Sequence, residues 1–528
     1  MISGYTLSYK ERKPDMFKNI SLSLADITGR EYINGIIEGA CFFGTLTRDE
    51  AKALAYEKID FYPVEAQLRN SELVSFVGHE VVKPVADPND GAPTDAFRHA
   101  ENRLAAPLGA YGCYRLGEDG KLYLTGKSEH YHASLGHSFP GYKLIDMARR
   151  LGIPNATHNN TRGYITRLCE KRIVEYANGI SLDEADADER FVAVAASHEP
   201  HVLNRVINLE TGSLGVEAGV KMMLRRFYRC SPVTEEPSYA GKTPVFLVMS
   251  DTSGGKTGNY HGTTVLTQTF RGLWNEFYGE IEKAGIYKVV PVKPNDIGDF
   301  EAKISEYNKG NYKTAGFLHE IIMMNYGALR LTKDYLSRAY ELCHANDTPV
   351  LVDEIQTGMW YDGLFLFRKY GLQPDFAVIG KGFPGGEFPA SRIVTTAEYD
   401  NLDQFGALVT NGQEELASLA YLITMAFVGA NGDELERLGK MFEDGMKELV
   451  AKHPGKLTAA EGLGHEAALY FHTVDEAAKF TSALHEKCID ASAQLYKKNC
   501  VPAVLFKPPV ISTEAVLQKI LEAVDSSL

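Results

Sequence analysis

Two β-type runs, at 349–353 and 375–379, each end in reactive company: the first in Asp353, the second just before Lys381. A helix-like piece over 364–370, closed by Gly371, joins them. Strand, helix, strand is the unit of a parallel α/β sheet, and such sheets bind ligands beyond the carboxyl ends of their strands. An acid and an amine placed there can both reach one small ligand. Lys381 lies in Gly380-Lys381-Gly382, followed by Pro384-Gly385-Gly386, so the backbone is bare enough for a ligand to approach. A lysine after an apolar strand also has its ammonium form disfavoured by burial, which frees the amine for Schiff-base chemistry. The plain alternative is a structural aspartate and a solvated lysine on two loops.

The neighbouring residues favour the chemical reading. DEIQTG at 353–358, followed by QPDFAVIGKGFPGG at 373–386, resembles the class III (ornithine/ω-amino acid) aminotransferase family, pyridoxal 5'-phosphate enzymes of fold type I. The resemblance implies an α/β architecture: a large domain with a mainly parallel seven-stranded sheet flanked by helices, a smaller α/β C-terminal domain and, in this chain, an N-terminal extension. It implies that Lys381 forms the Schiff base and shuttles a proton, that Asp353 pairs with the pyridinium nitrogen, and that Gln356 bonds the ring phenolate oxygen. Ile355 would pack on one face of the ring and Tyr260 on the other. Tyr260-His261-Gly262 resembles the family's aromatic step, which brings His261 into the cofactor-binding set.

Other landmarks follow in family order. Thr211-Gly212-Ser213, ahead of a helical run, resembles the phosphate loop and assigns Gly212 and Ser213 to the phosphate, although Thr211 and Gly215 depart from the usual Ser and Ala. A plain helix cap is the alternative there. Glu320 ends the strand-like AGFLHE and Asn325 follows it; both join the cofactor-binding set. Their spacing is nearer the glutamate-1-semialdehyde aminomutase-like branch than the common EPxQGEGG pattern, with Ile321 in place of that branch's Pro. Thr410, in FGALVTNG at 405–412, resembles the threonine that reaches the neighbouring subunit's phosphate, which implies a homodimer with shared sites.

Two reaction classes fit these residues. One is an aminotransferase working between an amino acid or amine and a keto acid. The other is an aminomutase, racemase or lyase that processes a single amino substrate. Two absences bear on the substrate: Asn325 stands where the gating glutamate is usual, and Leu505 where the R-x-x-PP arginine is usual. A buried second carboxylate left unpaired costs several kcal/mol. The expectation is therefore that 2-oxoglutarate is a poor acceptor and a monocarboxylate such as pyruvate a better one. Lys507 or an arginine of the extension is the alternative source of the missing charge.

SDTSGGKT at 250–257 nearly spells a nucleotide-binding P-loop, but Ser250 stands where the loop needs glycine and GNYHG, not a helix, follows. His130, His132 and His137 crowd together without a carboxylate or cysteine at ligand spacing, so no metal site is expected. The 528 residues, 44% apolar and 23% charged, suit a protein of two or three domains. A formal charge of −14 argues against nucleic-acid or anionic-membrane partners. No apolar run approaches the roughly 18 residues of a membrane span, and MISGYTLSYKERKPDMF lacks the apolar centre of a secretory leader. Seven scattered cysteines without CxxC spacing read as reduced thiols of a cytoplasmic protein. The expected division is an extension over 1–105, the first part of the small domain with its lead-in over 106–155, the cofactor-binding large domain over 156–428, and the C-terminal small domain over 429–528. Helices are predicted over 49–57, 66–73 and 333–345, and a hairpin turn at Glu118-Asp119-Gly120.

Overall fold

The computed structural model describes residues 16–86, 89–232, 234–495 and 500–528. The leader expectation falls largely on residues 1–15, which lie outside the described residues.

Near-continuous apolar runs such as Val350–Asp353 and Phe376–Ile379 are buried along their whole length, as strands covered on both faces must be. They lie inside a seven-stranded sheet in the order Arg205–Leu209, Ser391–Thr395, Phe376–Ile379, Val350–Asp353, Tyr312–His319, Thr243–Met249, Lys288–Val292. Ser391–Thr395 opposes both of its neighbours, and the other pairings on the sheet are parallel. Asp353 pairs in register with Val378, so Asp353 and the Gly380-Lys381 loop leave the sheet side by side.

The Gly212–Leu224 helix crosses the central strands at close range. A Cβ added to Gly215 would fall 2.6 Å from Val378 Cγ1, and one on Gly219 would fall 2.5 Å from Leu351 Cδ1. Val378 already fills the space that a Cβ at 215 would take, which accounts for the glycine there. Helix Lys333–Ala345, capped by the Thr332 hydroxyl, spans the predicted residues and leads into Val350–Asp353.

Two further sheets have four strands each. One is antiparallel and formed by Leu457–Leu463, Glu466–Phe471, Ala503–Phe506 and Ser492–Ala493. The other holds the predicted hairpin, Tyr114–Gly117 with Leu122–Thr125, together with Pro107–Tyr111 and the late strand Ile489–Asp490. The expected helices of the extension form as Arg48–Tyr56 and Val64–Glu72. Its packing is onto its own chain: Phe17 lies 5.9 Å from Phe427, Tyr32 stacks on Tyr164 at 4.4 Å, and the Tyr62 hydroxyl donates to the Ile511 carbonyl at 3.0 Å. Among the described residues no helix is long and apolar enough to cross a membrane.

Candidate active site

Because Asp353 and Lys381 end adjacent parallel strands, they meet at the sheet's carboxyl edge, on the wall of a cavity of ≈ 480 Å³. That is the size of an ordinary small-molecule site. Asp353 is 3% exposed. Its Oδ2 shares a 2.8 Å hydrogen bond with His261 Nδ1, and its Oδ1 accepts from the Ile355 amide at 3.0 Å. The carboxylate is thus fixed in orientation from two sides. Lys381 has φ +43, the left-handed region that a residue with a Cβ occupies at a cost. Its Nζ lies 5.5 Å from the centre of the Tyr131 ring. Burial pushes its ammonium down to about 8, against the opposing charges of Glu320, Asp353 and Glu466.

The other predicted residues gather on the same wall: Gly212 and Ser213, Tyr260 and His261, Glu320 and Asn325, Ile355 and Gln356. Gly212 begins its helix under Ile355, whose Cδ1 lies 2.0 Å from where a Cβ would sit. Ser213 Oγ accepts from the Thr263 amide at 3.1 Å, which binds the loop carrying Tyr260 and His261 to the helix start. The Arg271 guanidinium lies over the Tyr260 ring, 4.6 Å from its centre, leaving the opposite face for a flat ligand. Thr410 is not brought to the cavity by its own chain; it is exposed, on a loop where Phe405 is 79% exposed.

Sequence reasoning missed part of the wall. Glu210 lines it, one residue beyond the Arg205–Leu209 strand, where the strand-end rule could have found it. Phe388, Pro389 and Ala390 line it because Ser391–Thr395 runs against the other strands, so its amino end lies at their carboxyl edge. His130 and His132 also line it, whereas His137 bonds Glu129 at 2.8 Å. Burial pushes the His130 imidazolium down to about 4 and lowers His132 as well, so His130 is neutral near pH 7. The offer of Lys507 as a cation for a substrate carboxylate is corrected: it is 0% exposed, does not line the cavity, and its Nζ donates to the Gln356 carbonyl.

Two look-alike sites resolve differently. In the P-loop-like segment, the Asp251 carboxylate accepts from the amides of Ser253, Gly255 and Thr257 and from the Thr257 hydroxyl. The donors that would cradle a phosphate are consumed within the loop. At the amino end of Phe376–Ile379, His201, His344 and Asp375 lie close enough to suggest a metal. Their imidazoles stack at 3.8 Å and 19°, and His201 Nδ1 bonds Asp375 at 2.8 Å. Parallel rings aim their nitrogens alongside one another instead of at a common point, and Asp375 meanwhile accepts from the Val350 amide.

The family model for class III aminotransferases matches residues 98–528. An uncharacterized aminotransferase of Schizosaccharomyces pombe is 28% identical over 248 residues, covering 44% of this chain and 51% of that relative. An ornithine aminotransferase of Emericella nidulans is 24% identical over 421 residues, 78% of this chain and 83% of that one. Among solved structures, an ornithine aminotransferase from Toxoplasma gondii aligns with a TM-score of 0.62 at 18% identity, over 83% of this chain and 95% of that one. The PMP-bound form of an aminotransferase from Vibrio fluvialis aligns with a TM-score of 0.64 at 16% identity, with the same two coverages. At these identities the structures show a common fold, the fold type I α/β architecture that the strand motifs imply.

Proposed function

Because this chain belongs to the class III aminotransferase family and is a pyridoxal-phosphate-dependent aminotransferase, we propose that Lys381 holds the cofactor and moves the proton during amino transfer. The observation that carries this is the adjacency of Asp353 and Lys381 at the ends of paired strands, facing the start of the Gly212–Leu224 helix. The residues fit the group. A fixed carboxylate suits the protonated ring nitrogen, and free amides at a helix start suit a phosphate. The open face of Tyr260 and the side chain of Ile355 suit a flat ring.

Bound pyridoxal phosphate supplies the electron sink for a carbanion at the amine-bearing carbon. Asp353, oriented by His261 and the Ile355 amide, would keep the ring nitrogen protonated. Gly212 and Ser213 would anchor the phosphate while Lys381 is detached, and Gln356 would bond the ring oxygen. Glu320 and Asn325 line the same cavity and would complete the cofactor-binding set, and Lys381 Nζ would act as base and then as acid. Thr410, exposed beside Phe405, would serve the neighbouring subunit's phosphate in a homodimer. Exposed aromatics such as Phe405 at 79% and Trp274 at 58% support a further buried surface. The seven free thiols, four of them buried, support a reducing, cytoplasmic setting. We also retain the division of the chain at 105/106, 155/156 and 428/429.

The substrate reading rests on charge. Among the described lining residues Lys381 is the sole lysine or arginine, against the carboxylates of Glu210, Glu320 and Asp353. Leu505 is 2% exposed within a strand. A second substrate carboxylate finds no bidentate partner here, so a monocarboxylate acceptor such as pyruvate is favoured over 2-oxoglutarate. Relatives are named for ornithine and acetylornithine, which supports an amino acid or other amine as donor. The test supplies a panel of amines with each keto acid at equal concentration and measures the amino product by chromatography. Alanine should form faster than glutamate. Faster glutamate formation refutes the substrate reading, and conversion that needs no keto acid would move the chemistry to the single-substrate class.

A further inference from the structure

Behind the cavity floor a second lysine is wired to the residues that form it. Lys507 and Glu466 are both 0% exposed, and Lys507 Nζ lies 3.5 Å from Glu466 Oε1, an ion pair looser than a hydrogen bond. Neither Glu466 oxygen has a hydrogen-bond partner among the described residues. Lys507 Nζ donates to the Gln356 carbonyl, lies 3.5 Å from Gln356 Oε1, and sits 3.7 Å from the centre of the Trp360 ring. Trp360 in turn presses on the residue after Lys381: a Cβ on Gly382 would fall 2.2 Å from Trp360 Cζ3. The Tyr131 ring lies 5.5 Å from Lys381 Nζ and 5.8 Å from Lys507 Nζ.

A buried ion pair is a poor means of gaining stability, since well-packed apolar residues of similar volume often do as well or better. This pair instead touches the 356–360 turn directly and reaches the Lys381 loop through Trp360. We propose that Lys507, balanced by Glu466, is a positioning residue of the catalytic centre, locking the Gln356 turn and Trp360 behind Lys381 and setting the electrostatic field at Lys381 Nζ. The inference rests on the reading of Lys381 as the cofactor lysine.

The surrounding charges fit that role. Burial pushes the Lys507 ammonium down to about 8, with Glu466 and Glu320 opposing and Lys381 assisting. Burial likewise pushes the Glu466 carboxyl up to about 7, against the two lysines. Lys381 faces Glu320, Asp353 and Glu466. Removing Glu466 takes an anion from Lys381, and removing Lys507 takes away a competing cation. With the remaining partner still charged, the two losses move Lys381 in opposite directions, a readout that lost packing alone would not give.

The experiment uses Lys507→Met, Glu466→Gln and the double variant of the full chain. In the cofactor-free protein, the pH dependence of Lys381 acylation is followed by mass spectrometry. In the loaded protein, the visible absorbance is titrated, and borohydride reduction with peptide mapping locates the cofactor. Glu466→Gln should lower the Lys381 midpoint and Lys507→Met should raise it, each by about threefold or more in proton affinity. The double variant should return towards wild type. If Lys507→Met does not fold, the downward shift in Glu466→Gln decides alone. Unmoved midpoints, or shifts of one sign, with the cofactor still on Lys381 overturn this proposal and leave the site reading standing. A cofactor found on another lysine overturns both.

Discussion

Asp353 is held by His261 on one oxygen and by the Ile355 amide on the other, which leaves its charge aimed at whatever lies against the cavity wall. In Asp353→Asn the shape persists and the charge is lost. At an effective dielectric near 20, a pair about 4 Å apart is worth about 4 kcal/mol, or about a thousandfold in rate if felt in the transition state. Steady-state kcat of the loaded variant measures it; near-normal turnover would mean the ring is bound in another orientation. Asp353 and Lys381 were legible from residue type and from position after apolar runs. Their neighbours were less so. Glu354 ties the loop to the next helix by accepting from the Phe367 amide at 2.6 Å and from the Thr357 hydroxyl, and burial pushes its carboxyl up to about 7. Nothing local separates that structural glutamate from a catalytic one. Lys507, offered only as an alternative source of charge, lies just past a strand end, where no pleat fixes the side a residue faces.

At the scale of elements, spacing alone misleads in the segment 250–257. The carboxylate that turns a P-loop look-alike into a closed turn is Asp251, which the motif treats as a free position. Asp251→Ala strips four donors of their charged acceptor and should cost about 2 kcal/mol, since partly solvated amides recover some of the loss to water. Those hydrogen bonds hold the Asp251 carboxyl below its ordinary value, with burial opposing. Its contribution is therefore full above about pH 4 and is lost as pH falls through the folded value. Urea titrations at pH 7 and at lower pH should show the variant and wild type converging in acid. A variant that gains nucleotide affinity would contradict the account of this loop. The central strands and the 333–345 helix were readable because burial on both faces leaves apolar runs and helical spacing leaves a periodic pattern. The reversed direction of Ser391–Thr395 was not, since strand polarity leaves no local trace, and with it went Phe388–Ala390.

At the scale of the molecule, the extension was the least legible part. Its helices were visible, but their destination depends on distant partners such as Tyr164, Phe427 and Ile511. No described residue before His130 lines the cavity, so the described part of the extension adds nothing to that wall. Phe42 and Phe43, 85% and 77% exposed, make it a candidate for further contact surface. The shared-site dimer makes a sharper prediction through Thr410. Lys381→Ala and Thr410→Asp should each be nearly inactive. Unfolding and refolding them together should restore about a quarter of wild-type activity, from hybrid dimers with one intact site. No recovery, with hybrids verified by mass, would place Thr410 in its own subunit's site or outside any.

Lys381, half-buried on the cavity wall, and Lys507, fully buried behind it, flank one tyrosine ring, and desolvation lowers both to about 8. Both are thus chemically able to form an imine, and the account assigns that bond to Lys381 alone. Borohydride reduction of the loaded enzyme followed by peptide mapping decides the matter directly. The account predicts the reduced adduct on the peptide containing Lys381, with none in Lys381→Ala and with the adduct still on Lys381 in Lys507→Met. An adduct on Lys507, or on any other lysine while Lys381 stays unmodified, would contradict it.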